Sequence, residues 1–136
     1  MARLALAVDL GGTNLRAAVV NRDGDIQAET QQRTQSRDGP DAVIERIAAA
    51  VNDIAESNQV PNDVPVGLAS PGPLDPRTGV VYFSPNLPGW TNIPLAAKLR
   101  ERTKREVVLS NDANAAALGE VFFGAGKGTR NLLYLG

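Results

Sequence analysis

"LALAVDLGGTNLRAAVV", residues 4–20, decides how the chain is read. An apolar run, Leu4-Ala5-Leu6-Ala7-Val8, leads into Asp9-Leu10-Gly11-Gly12-Thr13-Asn14, and a second apolar run follows at residues 15–20. Two strands joined by so short a polar link pair antiparallel. Asn21-Arg22-Asp23-Gly24-Asp25 supplies another turn, with a usable Asp-Gly pair. Residues 26–33 make a third strand whose one large apolar residue is Ile26, which places it toward a sheet edge. The three strands form an antiparallel meander.

Beyond residue 40 the period of the pattern changes. Val43, Ile44, Ile47, Val51, Ile54 and Ala55 recur at helical spacing. Asp38 or Asp41 is expected to cap that helix, with Asn58 and Pro61 bounding its end. Residues 64–70 read as a fourth strand, weakened at its entry by Pro65. Residues 71–94 are rich in Pro, Gly and Asn, with a strand-like run at 80–83, and read as a long functional loop. A short helix (95–102), a strand (107–109), an Ala-rich helix (112–123), a Gly-rich loop (124–128) and a strand from residue 131 complete the order β-β-β-α-β-α-β-α-β. Strands alternating with helices imply parallel pairing, so the fold class is α/β, a mixed sheet with an antiparallel meander and then parallel strands. The apolar residues 132–136 lack a closing element, and a strand of this kind is covered on both faces. The expectation is a domain over residues 1–130, with 131–136 opening the first strand of a further carboxy-terminal domain.

Composition narrows the chemistry. The 136 residues are 43% hydrophobic and 21% charged, ordinary for a globular domain. Fourteen basic and fifteen acidic residues are scattered to a net charge of −1, and no basic stripe marks a nucleic-acid partner. The chain has no cysteine, which excludes disulfides and thiolate metal sites within it. It has no histidine, so a general base must be a carboxylate before a lysine or tyrosine. No apolar segment has the length to cross a bilayer and no signal peptide is evident, so no membrane partner and a cytoplasmic location are expected.

Two stretches carry candidate chemistry, and each has a plain structural alternative. In residues 9–14 the glycines permit positive φ and close approach of the backbone to a ligand, and successive amides can converge on an anion. Thr13 and Asn14 add side-chain donors, and Asp9 beside a phosphate requires a cation such as Mg²⁺ between them. The alternative is a tight turn in which Asp9 accepts amide hydrogen bonds. In Ser110-Asn111-Asp112-Ala113-Asn114 a strand hands over to a helix. One such side chain suffices as an N-cap, and here three stand in a row. At the carboxyl end of an α/β strand the surplus points into a ligand crevice, where Asp112 can take a proton from a hydroxyl and Asn111 can hold a neighbouring one. Trp90, the one tryptophan, is expected beneath the 71–94 loop. Gly124-Ala125-Gly126-Lys127-Gly128-Thr129 imitates a P-loop, but Gly128 stands where Ser or Thr must follow the lysine.

Taken in order, "VDLGGTNLRAAVV" (8–20), "GLASPGPLDPRTGVV" (67–81), "NLPGW" (86–90) and "NDANAAALGEVFFGAGKGTRNLLYLG" (111–136) resemble the ROK family of sugar kinases and sugar-responsive repressors. The resemblance covers essentially the whole chain, but only the amino-terminal half of a family member. It implies an actin-like, ribonuclease-H-like ATPase fold whose domains close on ATP and a hexose, with glucose favoured. Asp9, Gly11, Gly12, Thr13 and Asn14 would match the first phosphate loop, with Asp9 near Mg²⁺ through water. Asp112 would match the catalytic base at the sugar's 6-hydroxyl, and Asn111, Asn86 and Gly72 the sugar-holding positions. The resemblance implies ATP and Mg²⁺ as cofactors; the family's second phosphate loop, adenosine site and zinc site have no counterpart in this chain, so the fragment alone is expected to be inactive. A homodimer is implied at full length. The alternatives are an N-acetylhexosamine or fructose kinase of the same family, or a non-catalytic sugar-sensing regulator.

Overall fold

Residues 4–111 are described by the structure, a computed structural model. In β1 (Leu4–Leu10) Leu6, Val8 and Leu10 are buried, and alternation turns Ala5, Ala7 and Asp9 to the opposite face. β2 (Asn14–Asn21) buries Leu15, Ala17 and Val19 and pairs antiparallel with β1, from Leu4 opposite Asn21 to Leu10 opposite Leu15. β3 (Ile26–Arg33) pairs with β2 across an irregularity at Val19/Val20 and is the edge strand its polar sequence predicts. The turn between them is closed by Asn21, whose Oδ1 accepts from the Asp23 and Asp25 amides at 3.0 and 2.9 Å.

The chain continues through α1 (Pro40–Ser57), β4 (Val66–Ser70), β5 (Leu74–Asp75), β6 (Val80–Phe83), β7 (Thr91–Ile93), α2 (Leu95–Thr103) and β8 (Val107–Asn111). β4 lies parallel to β1 and β8 parallel to β4, giving the order β3-β2-β1-β4-β8. Both parallel crossovers step the same way across the sheet, so α1 and α2 fall on one face, where they pack on each other. Val43, Ile44, Ile47, Val51 and Ile54 of α1 and Leu95, Ala96 and Leu99 of α2 meet Leu6, Val8 and Leu10 there. Each of the Val, Leu and Ile side chains, taken fully out of water, contributes roughly 1.5–3 kcal/mol. Asp41–Lys98 (3.1 Å) and Glu45–Arg102 ion pairs tie the two helices at the surface. No described element covers the opposite face, an open depression of about 420 Å³ in which Ile26 and Val108 stay 59% and 60% exposed. Among the described residues, no helix is long and apolar enough to cross a membrane.

Several boundaries differ from the sequence expectation for identifiable reasons. α1 is capped by neither Asp38 nor Asp41. Gly39 (φ 94) occupies the N-cap without a side-chain bond, and Pro40 behind it has no amide to satisfy. Asp38 sits in a short 3₁₀ turn (Ser36–Asp38) and pairs instead with Arg46. β4 starts at Val66 rather than residue 64, because the Val64 amide is turned back to the Pro61 carbonyl. The 71–94 segment is not a bare loop. β5, β6 and β7 form a second antiparallel sheet, with Trp90 buried to 1% exposure. The helix expected at 112–123, the Gly-rich loop at 124–128, the strand from 131 and the domain boundary at 130 lie outside the described residues.

Candidate active site at the carboxyl ends of the parallel strands

β1, β4 and β8 run in one direction, so residues 11–14, 71–72 and the end of β8 emerge side by side. The register sets Asp9 beside Ala69, Ala69 beside Ser110, and Ser70 beside Asn111. This is the edge of an α/β sheet at which ligands collect. Asp9 belongs to β1 itself, one residue before the strand ends, and not to the turn beyond it. Its carboxylate is exposed and makes no hydrogen bond or ion pair among the described residues, even with Arg16 directly across the ladder. The plain-turn alternative has Asp9 accept amide hydrogen bonds, and among the described residues it accepts none.

The turn is held by other groups. The Gly11 amide donates to the Asn14 carbonyl at 2.9 Å, and the Thr34 amide donates to the Thr13 carbonyl at 2.8 Å. The Thr34 hydroxyl, fully buried, donates to the Gly11 carbonyl at 2.7 Å. Arg46 of α1 in turn donates from Nη1 to the Thr34 carbonyl at 2.8 Å and pairs with Asp38. Thr34 and Arg46 were not singled out from sequence. A threonine just past the end of a polar strand gives no local sign that it will be fully buried beside the loop.

Neither Gly11 nor Gly12 has positive φ. Their glycine requirement is close approach. A Cβ on Gly11 would lie 2.8 Å from the Asn14 carbonyl oxygen, and one on Gly12 would lie 2.9 Å from Asn86 Cβ and 3.1 Å from the Asn86 carbonyl oxygen. The loop after β1 and the segment that carries Asn86 are therefore in backbone contact. Gly72 differs, for it adopts φ +87, and a Cβ there would come 2.0 Å from the Phe83 carbonyl oxygen. Thr13, Asn14 and Asn86 are exposed, Gly72 is half-buried, and Asn111 closes β8. The structure thus gathers Asp9, Gly11, Gly12, Thr13, Asn14, Gly72 and Asn86 at one edge of the sheet, with the backbone of Asn111 beside them. Asp112 lies outside the described residues. Trp90 is interior, and its Nε1, like Ser84 Oγ, is buried without a partner among the described residues.

The family model of the ROK family matches residues 5–136. The chain belongs to the ROK family. A glucokinase of Thermotoga maritima is 42% identical over 130 residues, which are 96% of this chain and 40% of that relative. The crystal structure of a ROK family glucokinase from Streptomyces griseus, in complex with glucose and AMPPNP, superposes with a TM-score of 0.82 at 38% identity, covering 92% of this chain and 38% of that one. The structure of an inorganic polyphosphate/ATP-glucomannokinase from Arthrobacter superposes with a TM-score of 0.85 at 30% identity, covering 95% and 52%. The chain thus spans about two fifths of the length of the curated relatives it matches. The mixed sheet, meander first and parallel strands after, is the actin-like ATPase fold of the ROK sugar kinases.

Proposed function

We propose that the protein to which this chain belongs phosphorylates a hexose, glucose foremost, at its 6-hydroxyl with ATP, and that residues 9–14 are its first phosphate loop. The observation that carries this reading is the contact between Gly12 and Asn86. It brings the loop at Gly12, whose amide makes no hydrogen bond among the described residues, against the backbone and Cβ of Asn86, the asparagine this reading assigns to the sugar. The glucokinase names of the similar proteins support the substrate.

ATP and Mg²⁺ fit the residues present. The Gly12 amide, which makes no hydrogen bond among the described residues, can donate to a phosphate, and the Asp9 carboxylate, unpartnered among them, suits a hydrated divalent cation. Mg²⁺ bound there supplies neutralisation of the triphosphate charge. The Gly12 amide, with Thr13 and Asn14, orients the phosphates on a turn that Gly11 closes through its bond to the Asn14 carbonyl, while Asn86, Asn111 and the backbone at Gly72 hold the sugar. Asp112 accepts the proton of the 6-hydroxyl as that oxygen bonds to the terminal phosphorus and the bond to the bridging oxygen of ADP breaks. Positioning and charge supply most of the catalysis in such a transfer, so a chain segment without histidine is competent for its share.

The test uses the full-length protein. Asp112→Asn is expected to leave hexose affinity within about twofold and to lower kcat by roughly two to four orders of magnitude, the range for a lost general base. Near-normal turnover in that variant would refute the assignment.

A further inference from the structure

Gly12 and Thr13 also line a second depression, of about 460 Å³, shared with Arg33, Ser36, Arg37 and Asp38. Its charge is unbalanced. Asp38 is matched by Arg46, which comes up from α1. The guanidinium groups of Arg33 and Arg37 are exposed and make no hydrogen bond or ion pair among the described residues. Two unmatched cations therefore flank the backbone of the phosphate loop, in a chain whose overall charge is only −1.

The geometry is fixed rather than floppy. Thr34 follows Arg33 directly and is bonded to the loop through both its amide and its hydroxyl, to Thr13 at 2.8 Å and to Gly11 at 2.7 Å. Gln35, with φ 52 and ψ 54, turns the chain so that Ser36 and Arg37 close the far side of the same depression. An anion gripped at the Gly12 amide thus has a continuous path onto two guanidinium forks, the side chain best matched to phosphate oxygens. A neutral sugar has no use for two uncompensated cations. A chain of phosphates does.

We propose that this depression is a subsite for a condensed-phosphate chain, in which Arg33 and Arg37 hold phosphate groups beyond those gripped by residues 11–14. The proposal rests on the reading of residues 11–14 as a phosphate loop. The chain has two sources, the tail of a nucleoside triphosphate or inorganic polyphosphate.

The experiment titrates inorganic tripolyphosphate, with Mg²⁺, into the full-length protein by calorimetry. Arg33→Ala/Arg37→Ala is expected to weaken binding about tenfold or more, since each charge-assisted contact to phosphate is among the stronger hydrogen bonds. The difference should shrink as ionic strength rises from about 0.1 M to about 1 M, where the screening length falls from about 10 to about 3 Å. Arg22→Ala, in the turn between β2 and β3, is the charge control and should bind as wild type does. Among the described residues neither Arg33 nor Arg37 makes a side-chain bond that the substitutions would break, so the variants should fold. Tripolyphosphate binding that is absent in wild type, or equal in wild type and the double variant, overturns the subsite.

Initial rates of hexose phosphorylation separate the sources. A KM raised for long-chain polyphosphate and unchanged for ATP assigns the inorganic chain, a KM raised for ATP assigns the nucleotide's tail, and no change in either overturns the proposal. If no hexose is phosphorylated with either donor, the kinase reading fails, whereas Arg-dependent tripolyphosphate binding would still uphold the subsite.

Discussion

Replacing Gly12 with alanine puts one methyl group at the seam between the two candidate ligand-holding segments. The added Cβ would sit 2.9 Å from Asn86 Cβ, whereas carbon atoms meet at about 3.5 Å or more, so the segments must part by roughly 0.6 Å. The loop cannot give way freely. It is held by the Gly11–Asn14 and Thr34–Thr13 backbone bonds and by the Thr34 hydroxyl. Overpacking of this kind destabilises by about 1–3 kcal/mol. The functional effect should be larger, because displacing one reactant's site by a sizeable fraction of an ångström can lower a rate by up to about 100-fold. The assays are urea unfolding of the 136-residue chain and kcat/KM of the full-length protein. Gly67→Ala is the companion. Gly67 lies in β4, and a Cβ there meets nothing within 4 Å among the described residues, so the change should be neutral or stabilise by about 0.5–1 kcal/mol. If Gly12→Ala matched Gly67→Ala in both midpoint and kcat/KM, the contact with Asn86 would not be what holds the two segments in place.

Gly72→Ala should be the harsher change, at about 3 kcal/mol in a urea midpoint. It combines φ +87 with a Cβ 2.0 Å from the Phe83 carbonyl oxygen. Thr34→Val keeps the side-chain shape but leaves the Gly11 carbonyl without its hydroxyl donor. A loss of about 1–3 kcal/mol by the same measurement is expected, and an unchanged midpoint would show that water replaces the hydroxyl. The Asp75 carboxyl is held below the ordinary carboxylate range, first by the Arg77 amide that donates to it at 2.9 Å. Because its folded-state pKa is the lower one, its stabilising contribution is complete above the unfolded pKa and lost as pH falls through the folded one. The stability gap between wild type and Asp75→Asn should therefore narrow between about pH 5 and pH 2, and a gap that widened on acidification would reverse the assignment.

The meander and α1 were legible because each rests on local periodicity. Leu6, Val8 and Leu10 alternate, and Val43, Ile47, Val51 and Ile54 recur on one helical face. β3 was legible as an edge strand because edges tolerate polar residues on both faces. The second sheet was not. β5 and β7 hold two and three residues, too few to display a period, and their pairing with β6 is set by contacts spanning the turn-rich 71–94 segment. The helix cap was misread for a local reason, since two aspartates flank a Gly-Pro pair that needs no side-chain cap. At the site, residue types were visible and their neighbours were not. Nothing local connects Gly12 to Asn86, seventy-four positions on, or Thr34 to Gly11. The loop glycines were read as allowing positive φ and close approach of a ligand; positions 11 and 12 do not take positive φ, and what approaches them closely is the chain's own backbone at Asn14 and Asn86.

That room has a mechanistic consequence. Where two ligand-holding segments meet through side chains, rotamer changes can absorb a shift in one without moving the other. At Gly12 and Asn86 the contact runs from backbone to backbone and Cβ, so there is no rotamer to relax. The relative position of residues 11–14 and Asn86 is then set by the two sheets, through β1 on one side and the strand pair β6–β7 on the other. Thr34 and Arg46 extend that rigidity into α1, since the loop, the end of β3 and the helix are bonded in series. On the proposed function, a phosphate loop held in this way would act by preorganisation rather than by motion of its own.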